Sequence, residues 1–174
     1  RLEDAIRGHE QWVALWPRDR FGTFMRERAM GYRILARTGR VDEAVAAIAA
    51  LASELPESMH GLLQYGRAQV ALIANDPDTA RPAIESLARF IQGLGGTAYA
   101  VHVDGLRSRV QLQEGKAVEA LATIKRSIDK GPAELHRLRT LGAAQRANGE
   151  FEDALATFER ARELYPASAE SYYQ

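Results

Sequence analysis

The chain has 174 residues, and its 23 basic and 23 acidic side chains give a formal net charge of zero. With 46% hydrophobic and 26% charged residues, it has the composition of an ordinary globular protein that is long enough to bury a core. Because it contains no cysteine, disulfides and cysteine-based zinc or iron–sulfur sites are excluded. The balanced charge argues against a generic binder of nucleic acids or membrane surfaces.

Apolar residues spaced at i, i+4 and i+7 predict a chain of consecutive helices, and those that begin near residues 2, 41, 77, 116 and 150 are called second helices below. In chain order the helices are predicted near residues 2–15, 22–37, 41–54, 61–74, 77–92, 98–114, 116–130, 134–147 and 150–164. Gly39, Asn75, Gly115 and Gly149 each precede a second helix. We expect these four residues to adopt the left-handed turn conformation that other residues resist.

Alanine recurs at one position of each second helix, at residues 5, 44, 80, 120 and 154, with spacings of 39, 36, 40 and 34 residues. In the last segment the characteristic residues are Leu141, Gly142, Gly149, Phe151, Ala154, Phe158, Ala161 and Pro166. This pattern resembles the tetratricopeptide repeat, a pair of antiparallel helices with a period of about 34 residues. Leu138 and Gln145 stand where that family usually has Trp and Tyr.

The resemblance implies an all-α fold, in which antiparallel helix pairs stack into a right-handed superhelix. It implies a single domain over residues 1–174, with a half repeat at 1–20, repeats at 21–56, 57–97, 98–132 and 133–168, and the start of a further helix at 169–174. A generic antiparallel helical bundle is the alternative. The chain begins at Arg1 inside a predicted helix, so we expect a fragment of a longer polypeptide. No stretch approaches the roughly 18 apolar residues of a membrane span, and we expect a cytoplasmic location.

In the family that the chain resembles, the first helix of each pair usually lines a concave groove, and four of its positions usually meet the ligand. The polar and aromatic residues at those positions here are Arg26, Arg33, Tyr65, Gln69, His102, Arg109, His136, Arg139 and Arg146. The first helices carry a charge of +7 over residues 25–38, 61–74, 101–114 and 135–148, which leaves −7 for the rest. Guanidinium groups bind carboxylates bidentately, so we predict a groove for an acidic peptide or a terminal carboxylate. Alternatively, these arginines pair with acids on neighbouring helices or are solvated.

The resemblance implies a protein–protein interaction scaffold or regulatory module that binds a protein or peptide, without a cofactor and without enzymatic activity. The alternative is a helical-repeat sensor domain of a bacterial transcription regulator or signalling protein, which would bind a small ligand or a partner. A third hypothesis is an accessory region of an enzyme. The sequence leaves open whether the ends of the repeat array stack into a homodimer.

The four histidines do not show a metal-binding spacing within any one predicted helix. His102 and His136 are 34 residues apart, so they occupy equivalent positions on neighbouring pairs and could lie on one face. Two histidines alone do not predict a metal site, and none is predicted. The segment 93–97 is glycine-rich but lacks the spacing of a phosphate-binding loop. The segment 75–78 lacks a calcium-binding loop and is expected to form a turn that caps the next helix.

Overall fold

The computed structural model describes residues 31–57, 60–93, 100–131 and 134–165, together with Asp4 and Arg7, and these residues contain helices and turns but no strand. The helices are α1 (31–37), α2 (Val41–Glu54), α3 (His60–Ile73), α4 (Pro77–Gly93), α5 (Ala100–Gln113), α6 (Ala117–Asp129), α7 (Leu135–Ala147) and α8 (Phe151–Leu164). The all-α, tetratricopeptide-like repeat of helix pairs is therefore confirmed. Within the described ranges, no helix has both the length and the apolar character that crossing a membrane would require.

Some predictions fall on residues outside this description. They include most of the half repeat at 1–20, the start of the helix predicted near 22–37, Arg26, and the further helix at 169–174. Asp4 and Arg7 are helical and form an exposed ion pair of 2.7 Å. From residue 41 onward, the observed helices agree with the predicted ones to within about two residues at each end, which is the usual uncertainty of a helix boundary.

The same turn joins the helices of each described pair. Gly39, Asn75, Gly115 and Gly149 have φ angles of 80°, 57°, 74° and 83°, which confirms the left-handed conformation predicted for them. The next residue donates its backbone N–H to the carbonyl oxygen five residues earlier, over 2.8 to 3.0 Å in all four turns. This hydrogen bond is the Schellman closure, which satisfies a carbonyl left over at the helix end.

The structure divides into two compact units, residues 1–90 and 91–174. In unit 1, α2 packs against α3 around a core that includes Tyr32, Ala44, Ile48, Leu51 and Leu63. His60, at the start of α3, donates its Nε2–H to the carbonyl oxygens of Ala52 (2.9 Å) and Leu55 (3.1 Å). It therefore satisfies carbonyls at the end of α2, and this contact ties the two helices together.

In unit 2, α5 contacts α6, α6 contacts α7, α7 contacts α8, and α5 also contacts α7. The two first helices of successive pairs, α5 and α7, therefore lie side by side. The core contains Ala120, Leu121, Ile124 and Ala144. Buried hydroxyls add cross-helix hydrogen bonds, since Ser108 Oγ donates to the Ala120 carbonyl and Ser127 Oγ to the Val101 carbonyl, each over 2.8 Å.

Small residues allow the helix pairs to approach closely. The repeated alanines Ala44, Ala80, Ala120 and Ala154 are all buried, with no more than 4% of their surface exposed. In the last pair, a Cβ atom added at Gly142 would lie only 2.6 Å from Cζ of Phe158. The missing side chain at 142 is what admits the Phe158 ring between α7 and α8.

Candidate functional site

The candidate site lies on the first helices of unit 2, α5 and α7. His136, Arg139 and Arg146 of α7 are exposed, and they occupy the positions at which a ligand contact was predicted. His102 and Arg109, two turns apart on α5, are half-buried. We call these five side chains the basic face. The whole of α7 carries three arginines and no acidic residue.

The structure brings His102 and His136 together, as their equivalent positions on neighbouring pairs predict. Their rings stack with centroids 5.7 Å apart and an interplanar angle of 21°. This contact joins α5 and α7 on the basic face. Arg109 and Arg139 also form interactions within the structure, so the basic face is partly engaged with the protein itself.

One carboxylate in this region, that of Glu134, was not predicted. Glu134 is the N-cap residue of α7, but its side chain does not form the capping hydrogen bond. Its Oε2 lies 3.9 Å from His102 Nδ1 and 3.5 Å from His136 Nδ1. The repeat pattern could not reveal it, because the ligand positions on this helix are counted from residue 135 and Glu134 lies just before that count begins. The signal available in the sequence was the position of Glu134 two residues before His136, at the start of α7.

Other acids of the first helices are paired locally. Asp104 lies 3.5 Å from Arg107, one turn further along α5. Glu114 lies 2.8 Å from Lys116 across the turn that follows α5. Arg107 and Asp104 thus offset each other, and neither belongs to the set of predicted ligand positions.

The charge of +7 that the sequence assigns to the groove-lining first helices includes Arg137, but the structure buries this residue completely. Its Nη1 donates to the Ser127 carbonyl oxygen over 2.7 Å, at the end of α6, where the helix macrodipole favours a positive charge. Its Nε and Nη2 have no hydrogen-bond partner among the described residues. Arg137 is therefore part of the interior, and the charge available to a ligand is smaller than the count indicated.

In unit 1, the predicted residues are less accessible as a group. Arg33 and Tyr65 are half-buried, whereas Gln69 is buried and engaged within the structure. Tyr32 lies against Gly66, and burial raises the pKa of its hydroxyl far above the ordinary value. Tyr65 adds to this rise in pKa and Arg33 opposes it, so both residues lie in the electrostatic surroundings of a core tyrosine. Arg26 lies outside the described residues.

Comparisons with known proteins agree with the helix-pair architecture. Two family models described as "Tetratricopeptide repeat" match the chain, one over residues 33–94 and the other over residues 140–168. No curated protein and no solved structure matches it. Repeats of this family generally mediate protein–protein interactions and are typically non-catalytic. The buried alanines and the repeated glycine or asparagine turns agree with these two matches. The chain therefore belongs to the tetratricopeptide repeat family.

Proposed function

We propose that this chain is a scaffold or regulatory module that binds an acidic segment of a protein or peptide partner on the basic face. The observation that carries the proposal is the row of exposed side chains His136, Arg139 and Arg146 along α7, a helix without any acidic residue. A carboxylate approaching this helix meets cationic and polar groups without a competing negative charge on the helix itself.

The distribution of charge between the two helices of the last pair supports this choice. The sequence of α8 contains four acidic and two basic residues, in contrast to the three arginines of α7. An acidic partner is therefore attracted to the α7 side and repelled from the α8 side. Complementary charge of this kind sets the orientation and the rate of association more than the final affinity.

The chemistry of arginine explains why the partner is expected to be acidic. A guanidinium group offers parallel N–H donors that match the two oxygens of a carboxylate. Because Arg139 and Arg146 are exposed, their attraction for a partner is screened by salt. We therefore expect binding to weaken as ionic strength rises, and affinity beyond the electrostatic part to come from apolar contacts of the partner.

The experiment compares fluorescent acidic, basic and uncharged peptide pools for binding to the chain, using fluorescence anisotropy. Arg139→Glu and Arg146→Glu are the test variants. The matched controls are Arg126→Glu on α6 and Arg162→Glu on α8, which reverse exposed arginines on second helices. We expect the test variants to weaken binding of acidic peptides by at least about tenfold, the cost of losing a charge-assisted contact. The controls should bind nearly as the natural chain does.

Equal binding of basic and acidic peptides would contradict the proposal. So would an equal loss of affinity in the α7 variants and in the controls, because the effect would then follow net charge instead of position.

The class of partner, the cellular location and self-association are further parts of the proposal. We expect a protein or peptide partner and not a nucleic acid, because a net charge of zero removes the general attraction of the whole chain for a phosphate backbone. We place the encounter in the cytoplasm, which imaging of the tagged full-length protein tests. Association of the chain with a second copy is tested by light scattering over a range of concentrations.

A further inference from the structure

We propose that His102, Glu134 and His136 form a binding site for a divalent transition-metal ion of the zinc class. One ligand atom from each of these residues lies within 4.8 Å of the other two. The three side chains come from α5 and from the start of α7, so they are brought together by the stacking of two repeats. No cofactor or metal was predicted for the chain, and the inference does not depend on the proposed partner.

The distances are close to those that a metal ion requires. Zinc is bound by imidazole nitrogen and carboxylate oxygen at about 2.0–2.2 Å, so two ligand atoms of a tetrahedral site lie about 3.3 Å apart. Glu134 Oε2 is 3.5 Å from His136 Nδ1 and 3.9 Å from His102 Nδ1. All three ligand atoms lie within 4.8 Å of one another, so rotation of the side chains is needed to bring them to the separation that coordination requires.

The set of ligands also has the right chemistry. Two imidazoles and one carboxylate are a ligand combination that zinc accepts, and imidazole favours zinc, copper and nickel over magnesium or calcium. A carboxylate contributes negative charge, which offsets part of the charge of a divalent ion. The two rings stack on each other, and the same Glu134 Oε2 atom lies within 4 Å of the Nδ1 atom of each.

Glu134 is available for this role because it is not used as a helix cap. It occupies the N-cap position of α7 in an extended conformation, with φ −69° and ψ 152°. Its backbone carbonyl accepts the hydrogen bonds that begin the helix, from the N–H groups of Arg137 and Leu138, each over 3.0 Å. Its carboxylate lies toward the two histidines instead. The hydrogen bonds to its backbone carbonyl hold the residue at the start of α7, and its side chain remains available as a ligand.

An ion can reach the three side chains from solvent. His102, Glu134 and His136 expose 29%, 39% and 45% of their side-chain surfaces, respectively. A tetrahedral ion held by three protein ligands keeps a fourth position for water. Binding would connect α5 to α7 directly, so the bound ion should stabilise unit 2 against unfolding.

The experiment titrates zinc chloride into the metal-free natural chain by isothermal calorimetry, without any peptide present. Cobalt(II) serves as a second probe, because its visible absorption reports the coordination geometry. The test variants are Glu134→Gln, His102→Ala and His136→Ala. The controls are Glu119→Gln, an exposed acid of α6, and His60→Asn, a histidine whose ring bonds to backbone carbonyls. Circular dichroism verifies that each variant is folded.

We expect one zinc ion per chain and a rise in thermal stability on binding. Each test variant should bind at least about tenfold more weakly, since even the loss of an outer partner of a ligand typically costs that much. Both controls should bind as the natural chain does. The proposal is overturned if zinc does not bind, if several ions bind with equal affinity, or if Glu134→Gln and the histidine variants bind as well as the controls. Because only metal is added, failure here leaves the proposed peptide binding untouched.

Discussion

Gly142 decides how closely α7 and α8 approach, because a side chain at this position would enter the space of Phe158. Gly105, on α5, is also in the middle of a first helix, but a Cβ atom there would lie 3.9 Å from Arg137 Cγ, an ordinary contact distance. The two glycines therefore have the same intrinsic cost to a helix and different surroundings.

We predict that Gly142→Ala and Gly105→Ala change stability in opposite directions. Overpacking against Phe158 typically costs about 1–3 kcal/mol, which exceeds the gain of about 1 kcal/mol that alanine brings to a helix. Gly105→Ala should keep most of that gain. Urea denaturation followed by circular dichroism measures both variants. If Gly142→Ala were as stabilising as Gly105→Ala, the close approach of Phe158 would not constrain residue 142.

Arg137 is the interior residue whose charge is hardest to reconcile with its surroundings. It is fully buried, and only Nη1 has a hydrogen-bond acceptor among the described residues. Burying a charge carries a large desolvation cost, which good hydrogen bonding offsets only in part. Its long aliphatic stem still fills space beside Gly105 and Gly131.

We therefore predict that Arg137→Met leaves the free energy of unfolding within about 1 kcal/mol of the natural value, or raises it. Arg137→Ala should lower it by about 2–4 kcal/mol, because it removes the volume as well as the charge. Chemical denaturation of the two variants separates these contributions. A loss in Arg137→Met as large as that in Arg137→Ala would mean that the hydrogen bond to the Ser127 carbonyl dominates.

Among individual site residues, the sequence predicted some and missed others for identifiable reasons. The equivalent positions of His102 and His136 follow from the repeat, and the structure brings the two rings together. Arg137 was misassigned because charged residues are rarely buried, although it lies on the same helical stripe as Leu141 and Ala144. Glu134 was missed because it belongs to the segment before the helix, and a position count along helices ignores it.

Helix boundaries were the most predictable feature at the level of elements. From residue 41 onward, each second helix begins just after a glycine or asparagine with positive φ, a conformation that few other residues tolerate, so the sequence marks these turns directly. Linkers between pairs vary in length, as the alanine spacings of 34 to 40 residues show, and a fixed period does not predict their course. Local turn chemistry therefore determines the pairs more strongly than the overall period does.

The start of α4 shows how one carboxylate fixes a helix end. Asp76 Oδ1 accepts the backbone N–H of Thr79 over 3.0 Å, so Asp76 caps the helix as predicted for the segment 75–78. Hydrogen bonds from the Thr79 hydroxyl and then from the Thr79 backbone hold the pKa of this carboxyl below its ordinary value of 3.8. A depressed pKa in the folded state means that ionised Asp76 stabilises the fold above the unfolded pKa and loses this effect as the pH falls through the folded pKa.

We predict that Asp76→Ala lowers the urea midpoint at pH 7, and that the difference from the natural chain shrinks when the pH is taken below about 4. Asp76→Asn keeps an oxygen that can cap the helix, so its urea midpoint should lie between those of Asp76→Ala and the natural chain and should depend less on pH. Denaturation curves at pH 7 and at about pH 3 measure the effect. A difference that is equally large at both values would show that the charge of Asp76 contributes nothing to the cap.

For the whole molecule, the net charge of zero conceals an uneven distribution over the helices. Described acids on first helices are paired locally, as Asp104 is with Arg107, and α8 carries more acidic than basic residues. Burial of Arg137 reduces the exposed positive charge but leaves Arg139 and Arg146 on the surface. The proposed recognition of an acidic partner therefore depends on the basic face and not on the total charge.

The most direct test is a two-dimensional amide NMR titration of the isotopically labelled chain with an acidic peptide taken from the binding screen. We predict that the shifted amides cluster around His102, Arg109, His136, Arg139 and Arg146, and that those of α6 and α8 remain nearly unchanged. Raising the salt concentration should reverse the shifts. Perturbations centred on α6 and α8, or spread evenly over the chain, would contradict the assignment of the basic face as the binding surface.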